Sequence, residues 1–291
     1  MEWEWVFAQF DEAVLHRAEL RAAGATARGL TAAVRAGFLI RARRDCYLLP
    51  NAPRAVVEAV RVGGRVTCTS RLELAGIFTM GGRATHIHMT DTMSRMRTPS
   101  SRGRRLTRHN REGVELHWWA LSDETTRAAV SIRDALLHAL RCQEPWLALA
   151  SIENALFLRI IDEADVREIF AAAPQRVADL EELVDGRAEA GQETVLRMLA
   201  LSIGLKCEPQ VYIPGVGRVD LLVGGCLVVE ADSRLAHDGW EHHIEDRRRD
   251  LALANLGYMS LRPAFQHTMH EPALVRGAIE SLLAEHPRFG R

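Results

Sequence analysis

The chain has 291 residues, about twice the ~150 of a typical domain, so more than one domain is expected. Apolar residues make up 47% and charged residues 26%, which excludes a largely disordered chain and a small scaffold stapled by disulfides. No apolar run approaches the ~18 residues of a membrane-spanning helix. The start, Met1-Glu2-Trp3-Glu4-Trp5, is too acidic for a signal peptide, so a cytoplasmic protein is expected. The five cysteines, at 46, 68, 142, 207 and 226, lie far apart with no C-x-x-C pair. Reduced, mostly buried thiols are expected rather than a zinc ribbon or a disulfide framework.

The net charge of −1 hides a segregation: +10 over residues 1–111, −9 over 112–185 and −2 over 186–291. A basic front end is a candidate surface for nucleic acid, whereas the acidic middle repels phosphate and suits a spacer or a protein contact. Of the 37 basic residues only Lys206 is lysine, and arginine offers bidentate geometry to phosphate and guanine.

Residues 12–23 place Val14, Leu15, Ala18 and Leu20 at roughly helical spacing, with Gly24 positioned to stop the helix. Thr26 can cap a second helix running to Gly37, with Leu30, Ala33 and Val34 inward and Arg28, Thr31 and Arg35 outward. Residues 38–43 and 46–49 read as two short strands around Arg44-Asp45. Helix, turn, helix and basic hairpin predict a winged helix-turn-helix, whose second helix enters the major groove while the wing touches phosphate. The series R-A-x-L-R-A-x-G, V-R-A-G and R-x-x-x-Y, over about forty residues, resembles the winged-helix domain of AbiEi-type antitoxins. That resemblance implies DNA contacts from Arg28, Thr31, Arg35, Arg41, Arg43 and Arg44.

Residues 53–119 hold short apolar stretches broken by glycine and by the basic segment 95–111, which reads as a mobile loop on a small mixed α/β extension. His86 and His88 share one face of a predicted strand, and without a third ligand they read as structural. From 125 to 184 the pattern is helical, through 128–140, 147–158 and 166–172. The tryptophan pairs at 3/5 and 118/119 read as core or interface packing.

The last hundred residues carry the chemistry. A helix over 192–199 ends near Gly204; residues 210–213 and 218–223 are strands joined by a turn, and Gly224-Gly225 turns into a third, strongly apolar strand over 226–232. Strand alternation puts Glu230 and Asp232 on one face, with Asp220 of the neighbouring strand able to lie beside them. Three converging carboxylates repel one another, so protons or a cation must resolve the charge. A hard divalent ion prefers such oxygens, and it can bind a scissile phosphate while acidifying an attacking water. Gly215-x-Gly217 is too short for a phosphate loop, and zinc at His237, His242 and His243 is disfavoured because adjacent histidines on a helix diverge.

The order of a helical glutamate, a hairpin aspartate, nine residues and Glu-x-Asp resembles the PD-(D/E)XK nucleases, specifically the branch of the very-short-patch-repair (Vsr) endonucleases. The similarity extends over roughly residues 189–265 and is sharpest in the string VEADSRLAHDGWEHHIEDRRRDLALANLGYMSLR. It implies that Asp220 and Glu230 are metal ligands, Asp232 an additional ligand or orienter, Glu193 a supporting carboxylate, and His237 a general base or acid. Arg247 and Arg249 then hold phosphate oxygens. Asp232 stands where that superfamily carries lysine, so His237, an arginine or a second metal must supply the positive charge. Ser233 replaces the branch's glycine, and Tyr258 and Met259 replace its Trp-x-Val.

The expected fold class is α/β (α+β overall): a winged helix-turn-helix over 1–52, the small extension over 53–120, a helical linker domain over 121–187, and a restriction-endonuclease-like mixed sheet flanked by helices over 188–291. The expected function is a DNA endonuclease dependent on Mg²⁺ (or Mn²⁺), with duplex DNA as partner, no membrane, and a homodimer left open. The same residues leave open a non-enzymatic, antitoxin-like transcriptional regulator with a degenerate nuclease core. RNA cleavage shares the metal site but requires recognition of 2′-hydroxyls or splayed bases.

Overall fold

In the computed structural model, which describes residues 2–10, 12–111, 113–231 and 240–284 (the backbone alone at 240–243, 245 and 246), the chain is α/β with several small sheets. It divides into two units. The first takes in residues 1–143 and 164–178, the second 144–163 and 179–291. Among the described residues no helix is long and apolar enough to cross a membrane.

The first unit opens with α1 (Trp3–Ala8), β1 (Leu15–His16), α2 (Arg17–Ala22), α3 (Ala27–Arg35), β2 (Ile40–Arg43) and β3 (Cys46–Leu48), with sheet order β1-β3-β2. This is the element order of a winged helix. The helix expected over 12–23 begins only at Arg17, because Leu15 and His16 pair with Tyr47 and Cys46 of β3. The His16 backbone N–H then donates to the Glu19 carboxylate at 2.7 Å, fixing the helix start. Thr26 caps α3 as its residue type predicts, accepting from the Gly29 N–H at 3.0 Å. Leu15, Leu20, Leu30, Leu39 and Tyr47 close the core beneath these elements.

The chain continues through α4 (Arg54–Val62), β4 (Arg65–Val66), α5 (Cys68–Leu74), β5 (Thr85–His88), β6 (Arg97–Thr98), β7 (Ser101–Arg105) and β8 (Val114–His117). Val56, Val60 and Val62 of α4 pack with Val14, Ala42 and Leu48 as well as Ile87 and Val114. One apolar core therefore crosses residue 52, and the winged helix and the extension belong to a single unit. The basic segment expected as a mobile loop is largely the β6–β7 hairpin. Gly63 ends α4 at φ +110°, with the Arg43 guanidinium against the space that a Cβ would fill.

The helical stretch expected as a linker domain forms α6 (Ile132–Cys142), α7 (Pro145–Phe157) and α8 (Glu163–Ala171). It does not stand by itself: α6 and nearly all of α8 belong to the first unit, and α7 to the second.

In the second unit α9 (Gly191–Leu201) precedes β9 (Cys207–Ile213), β10 (Gly217–Val223) and β11 (Leu227–Val229); then follow α10 (Trp240–Asn255), β12 (Met259–Leu261), α11 (Phe265–His270) and α12 (Pro272–Ala284). The sheet order is β12-β11-β10-β9. β10 is antiparallel to both neighbours, and β12 is parallel to β11. Gly224 and Gly225, at φ +58° and +70°, turn the hairpin as expected, but Val223 pairs with Leu227, so Cys226 belongs to the turn and the third strand is Leu227–Val229 instead of 226–232. Val219, Val228 and Leu253 centre the core of this sheet.

Glu153 of α7 is fully buried; it accepts hydrogen bonds from the Asp185 N–H at 2.7 Å and the Thr194 hydroxyl at 2.6 Å, and it pairs with the buried Arg197 of α9. Removing one partner strands a charge in the interior. Arg197→Leu is expected to cost about 3–5 kcal/mol in urea unfolding, and the Glu153→Leu/Arg197→Leu double variant to recover much of that loss.

Candidate functional site

The register of β10 and β11 pairs Leu221 with Val229. One step further along the same ladder Asp220 and Glu230 stand opposite each other, so their side chains share a face. The Ala231 N–H donates to Asp220 Oδ2 at 2.9 Å. Glu193, in the first turn of α9, accepts from the backbone N–H groups of Ala190 at 3.0 Å and Glu189 at 3.2 Å, and from the Gln210 amide at 2.8 Å. Gln210 sits on β9 at φ +56°, between Pro209 and Val211, which pair with Leu221 and Val219 on either side of Asp220. A non-glycine residue in the left-handed region is strained, and here the strain lies beside the carboxylates.

Their electrostatics follow from this crowding. Burial, and next the charge of Asp220, push Glu193 up to about 7. Burial likewise raises Asp220, helped by Glu230 and Glu189, against the lowering effect of the Ala231 N–H and Arg249. Glu230 is neutralised differently: Arg249 of α10 donates to Oε1 at 2.6 Å, and Arg262, just past β12, pairs with Oε2. Arg249 also donates to the Arg218 carbonyl at 2.9 Å, and Arg262 to Asp250 at 3.0 Å.

Three of the expected site residues, Glu193, Asp220 and Glu230, thus come together. Arg249 is beside them, although it grips the Glu230 carboxylate instead of standing free for phosphate. Arg247 is exposed and paired with Asp250 at 3.0 Å. Asp232 and His237 lie outside the described residues. Arg262 closes the string that carries the resemblance but is given no role there, because its partner Glu230 lies some thirty residues earlier in the chain. The oxygens of Asp220 and Glu230 are of the kind a hard divalent cation takes, and Glu230 can offer one only if its arginines yield it.

In the first unit Arg28, Thr31 and Arg35 are exposed on α3, spaced to share a face. The Thr31 hydroxyl donates to the Ala27 carbonyl at 3.0 Å. Arg41, Arg43 and Arg44 of the wing line a groove of about 510 Å³ together with Arg95, Arg97 and Arg102. Arg43 departs from its expected role: its guanidinium donates to the carbonyls of Val62 and Arg95, both at 2.9 Å, so it braces the groove wall. Trp5 and Trp118 are exposed rather than in the core, whereas Trp119 stacks on His117 with ring centroids 4.4 Å apart.

A second constellation has no counterpart in the sequence reading. Cys68, His86, His117 and Cys142 bring one ligand atom each within 4.8 Å of all the others, and they can hold a metal ion. Among the described residues no other group of three or more His, Cys, Asp or Glu gathers so closely. His86 is therefore no ordinary structural histidine. Its missing partners come from separate elements far apart in the chain, without the short spacing that marks a zinc motif. Cys68, His117 and His86 around its sulfur hold the Cys142 thiol well below its ordinary value.

In comparisons with known proteins the chain matches no family model and no curated protein.

The crowding at Glu193 has a measurable signature. In the fold it keeps its proton to about pH 7, against 4.5 for an ordinary glutamate. The folded state therefore binds more protons across that window, and its stability falls as pH rises from about 4.5 to about 7. Thermal unfolding at stepped pH in metal-free buffer is expected to show this decline, and Glu193→Gln to lessen it, the remainder coming from Glu153, which burial likewise pushes up to about 7.

Proposed function

We propose that the protein is a DNA endonuclease: the winged helix binds duplex DNA and the carboxylate site of the second unit hydrolyses phosphodiester bonds with a divalent ion. The reading is carried by Asp220 and Glu230 on opposed positions of one hairpin, with Glu193 held in a raised-pKa environment beside them. Asp220 and Glu230, joined by Asp232 on the family resemblance, would hold Mg²⁺ or Mn²⁺. When bound, such an ion polarises the phosphate and lowers the pKa of an attacking water.

The chain's own residues supply the rest. Glu193, fixed by Gln210 and two backbone N–H groups, positions the acidic rim. Arg249 and Arg262, which hold Glu230 in the fold, would be the groups to meet phosphate oxygens and offset charge in the transition state if a bound ion neutralised Glu230 in their place. His237 takes or returns a proton, a task suited to a side chain titrating near neutrality. On the first unit, Arg28, Thr31 and Arg35 face base edges and phosphates while Arg41, Arg44 and the β6–β7 arginines follow the backbone.

One observation favours a second reading. Both oxygens of Glu230 are already taken by arginine, as they would be in a degenerate core serving a non-enzymatic, antitoxin-like regulator.

Supercoiled plasmid, single-stranded DNA and RNA separate these readings. The nuclease reading expects Mg²⁺- or Mn²⁺-dependent nicking of plasmid, reduced at least ~10³-fold by Asp220→Asn with duplex binding retained. Duplex binding without cleavage of any substrate in either metal establishes the regulator, and cleavage of RNA alone reassigns the substrate. Arg28→Ala and Arg35→Ala are each expected to weaken duplex binding and to shallow its dependence on salt by roughly one counterion.

A further inference from the structure

We propose that Cys68, His86, His117 and Cys142 form a structural zinc site that fastens four elements of the first unit. Cys68 is the first residue of α5 and Cys142 the last of α6, while His86 lies on β5 and His117 ends the parallel strand β8. The donor set is two sulfurs and two nitrogens, a combination that selects Zn²⁺ over the hard cations that carboxylates prefer.

The spacing fits the ion. Tetrahedral zinc, with Zn–N of about 2.0–2.1 Å and Zn–S of about 2.3 Å, needs donor separations of about 3.3 Å between nitrogens, 3.5 Å between nitrogen and sulfur and 3.8 Å between sulfurs. His86 Nδ1 and His117 Nε2 lie 3.0 Å apart, Cys142 Sγ and His86 Nδ1 3.8 Å apart, and all four donors fall within 4.8 Å. The first two separations lie within about 0.3 Å of the tetrahedral ones, and the 4.8 Å bound leaves little more than about an ångström to close on the others.

The surroundings hold the ligands in place. Trp119 stacks on the His117 ring at an interplanar angle of 15°, and the His86 backbone N–H donates to Ser70 Oγ at 3.0 Å. Cys68 occupies the left-handed region at φ +50°, a conformation that a side chain rarely takes without compensation. Cys68, His86 and His117 are buried while Cys142 is exposed, which leaves one side of the cluster accessible to an arriving ion. Four protein ligands fill a tetrahedral shell and leave no position for substrate, so the role is structural. The site is independent of the carboxylates of the second unit.

The full chain, purified under reducing conditions without chelator, is expected to contain one zinc ion per molecule by elemental mass spectrometry, and equally so in the Asp220→Asn variant. After zinc removal and Co²⁺ loading, the intense visible bands of tetrahedral cobalt and a sulfur-to-cobalt charge-transfer band are expected. Cys142→Ser, at the exposed ligand, should weaken that band and lower Co²⁺ affinity by more than about 100-fold, since losing even an outer-shell partner costs about 10–100-fold. Chelation should lower the unfolding temperature. Substoichiometric zinc together with the absence of a charge-transfer band overturns the proposal. So does a Cys142→Ser variant that keeps both the band and the affinity, or a Cys68–Cys142 disulfide in the isolated chain that takes up no Co²⁺ once reduced.

Discussion

A carboxylate at the rim of an apolar sheet gives up much of its hydration, and a second carboxylate opposite it raises the cost again. The second unit meets that charge in three ways. Glu193 retains a proton toward neutral pH and gathers three hydrogen-bond donors. Asp220 takes a backbone N–H from the strand beside it. Glu230 receives two guanidinium groups, one from α10 and one from the end of β12. The helix and the last strand are thus tied to the hairpin by charge as well as by the apolar contacts of Val219, Val228 and Leu253.

In the first unit arginine answers a different need. Arg43, Arg61, Arg65 and Arg71 each donate to backbone carbonyls, those of Val62 and Arg95, Pro99, Thr126 and Val130. Arg127 bridges to Glu19 at 2.6 Å and to the Val14 carbonyl. A guanidinium presents several donors in a fixed plane and keeps its charge when partly buried, so it can satisfy carbonyls that no backbone N–H reaches. The excess of positive charge over residues 1–111 therefore overstates the surface open to phosphate. Arg28, Arg35 and Arg44 are exposed, whereas several of the others serve as internal braces.

The features legible in the sequence are those set by local chemistry. Thr26 before an amphipathic run, Gly224-Gly225 between apolar strands, and an aspartate and a glutamate symmetric about that turn fix a cap, a hairpin and the facing pair Asp220/Glu230 within a few residues of chain. The features that stayed hidden depend on distance. Whether Leu15 enters a helix or a sheet is decided by Tyr47, some thirty residues on. The Cys and His cluster draws on two helices and two strands separated by loops of differing length, so no fixed spacing records it. Arg262 stands at the end of the motif string, but its role shows only when β12 sets it against Glu230. Segment boundaries failed for the same reason: composition changes near residue 52, but the core runs through it, because Val14, Ala42 and Leu48 need Val56 and Val60 to be covered.

The arginines on Glu230 bear on both functional readings through one balance of charge. Glu230 is held by Arg249 and by Arg262, which it shares with Asp250, so its charge is balanced, while Asp220 and Glu193 alongside are short of positive charge. A divalent ion between Asp220 and Glu230 would supply what those two lack and make at least one arginine redundant at Glu230. Its guanidinium would then be released at the rim, with its planar fork free to take two oxygens of another acceptor such as a phosphate. Without an ion no such exchange is favourable, because freeing Glu230 would leave three neighbouring carboxylates with hydrogen-bond donors but no positive charge among them. In the fold as it stands, Arg249 and Arg262 are internal counter-charges of Glu230, and an ion at Asp220 would be the condition for either to leave it.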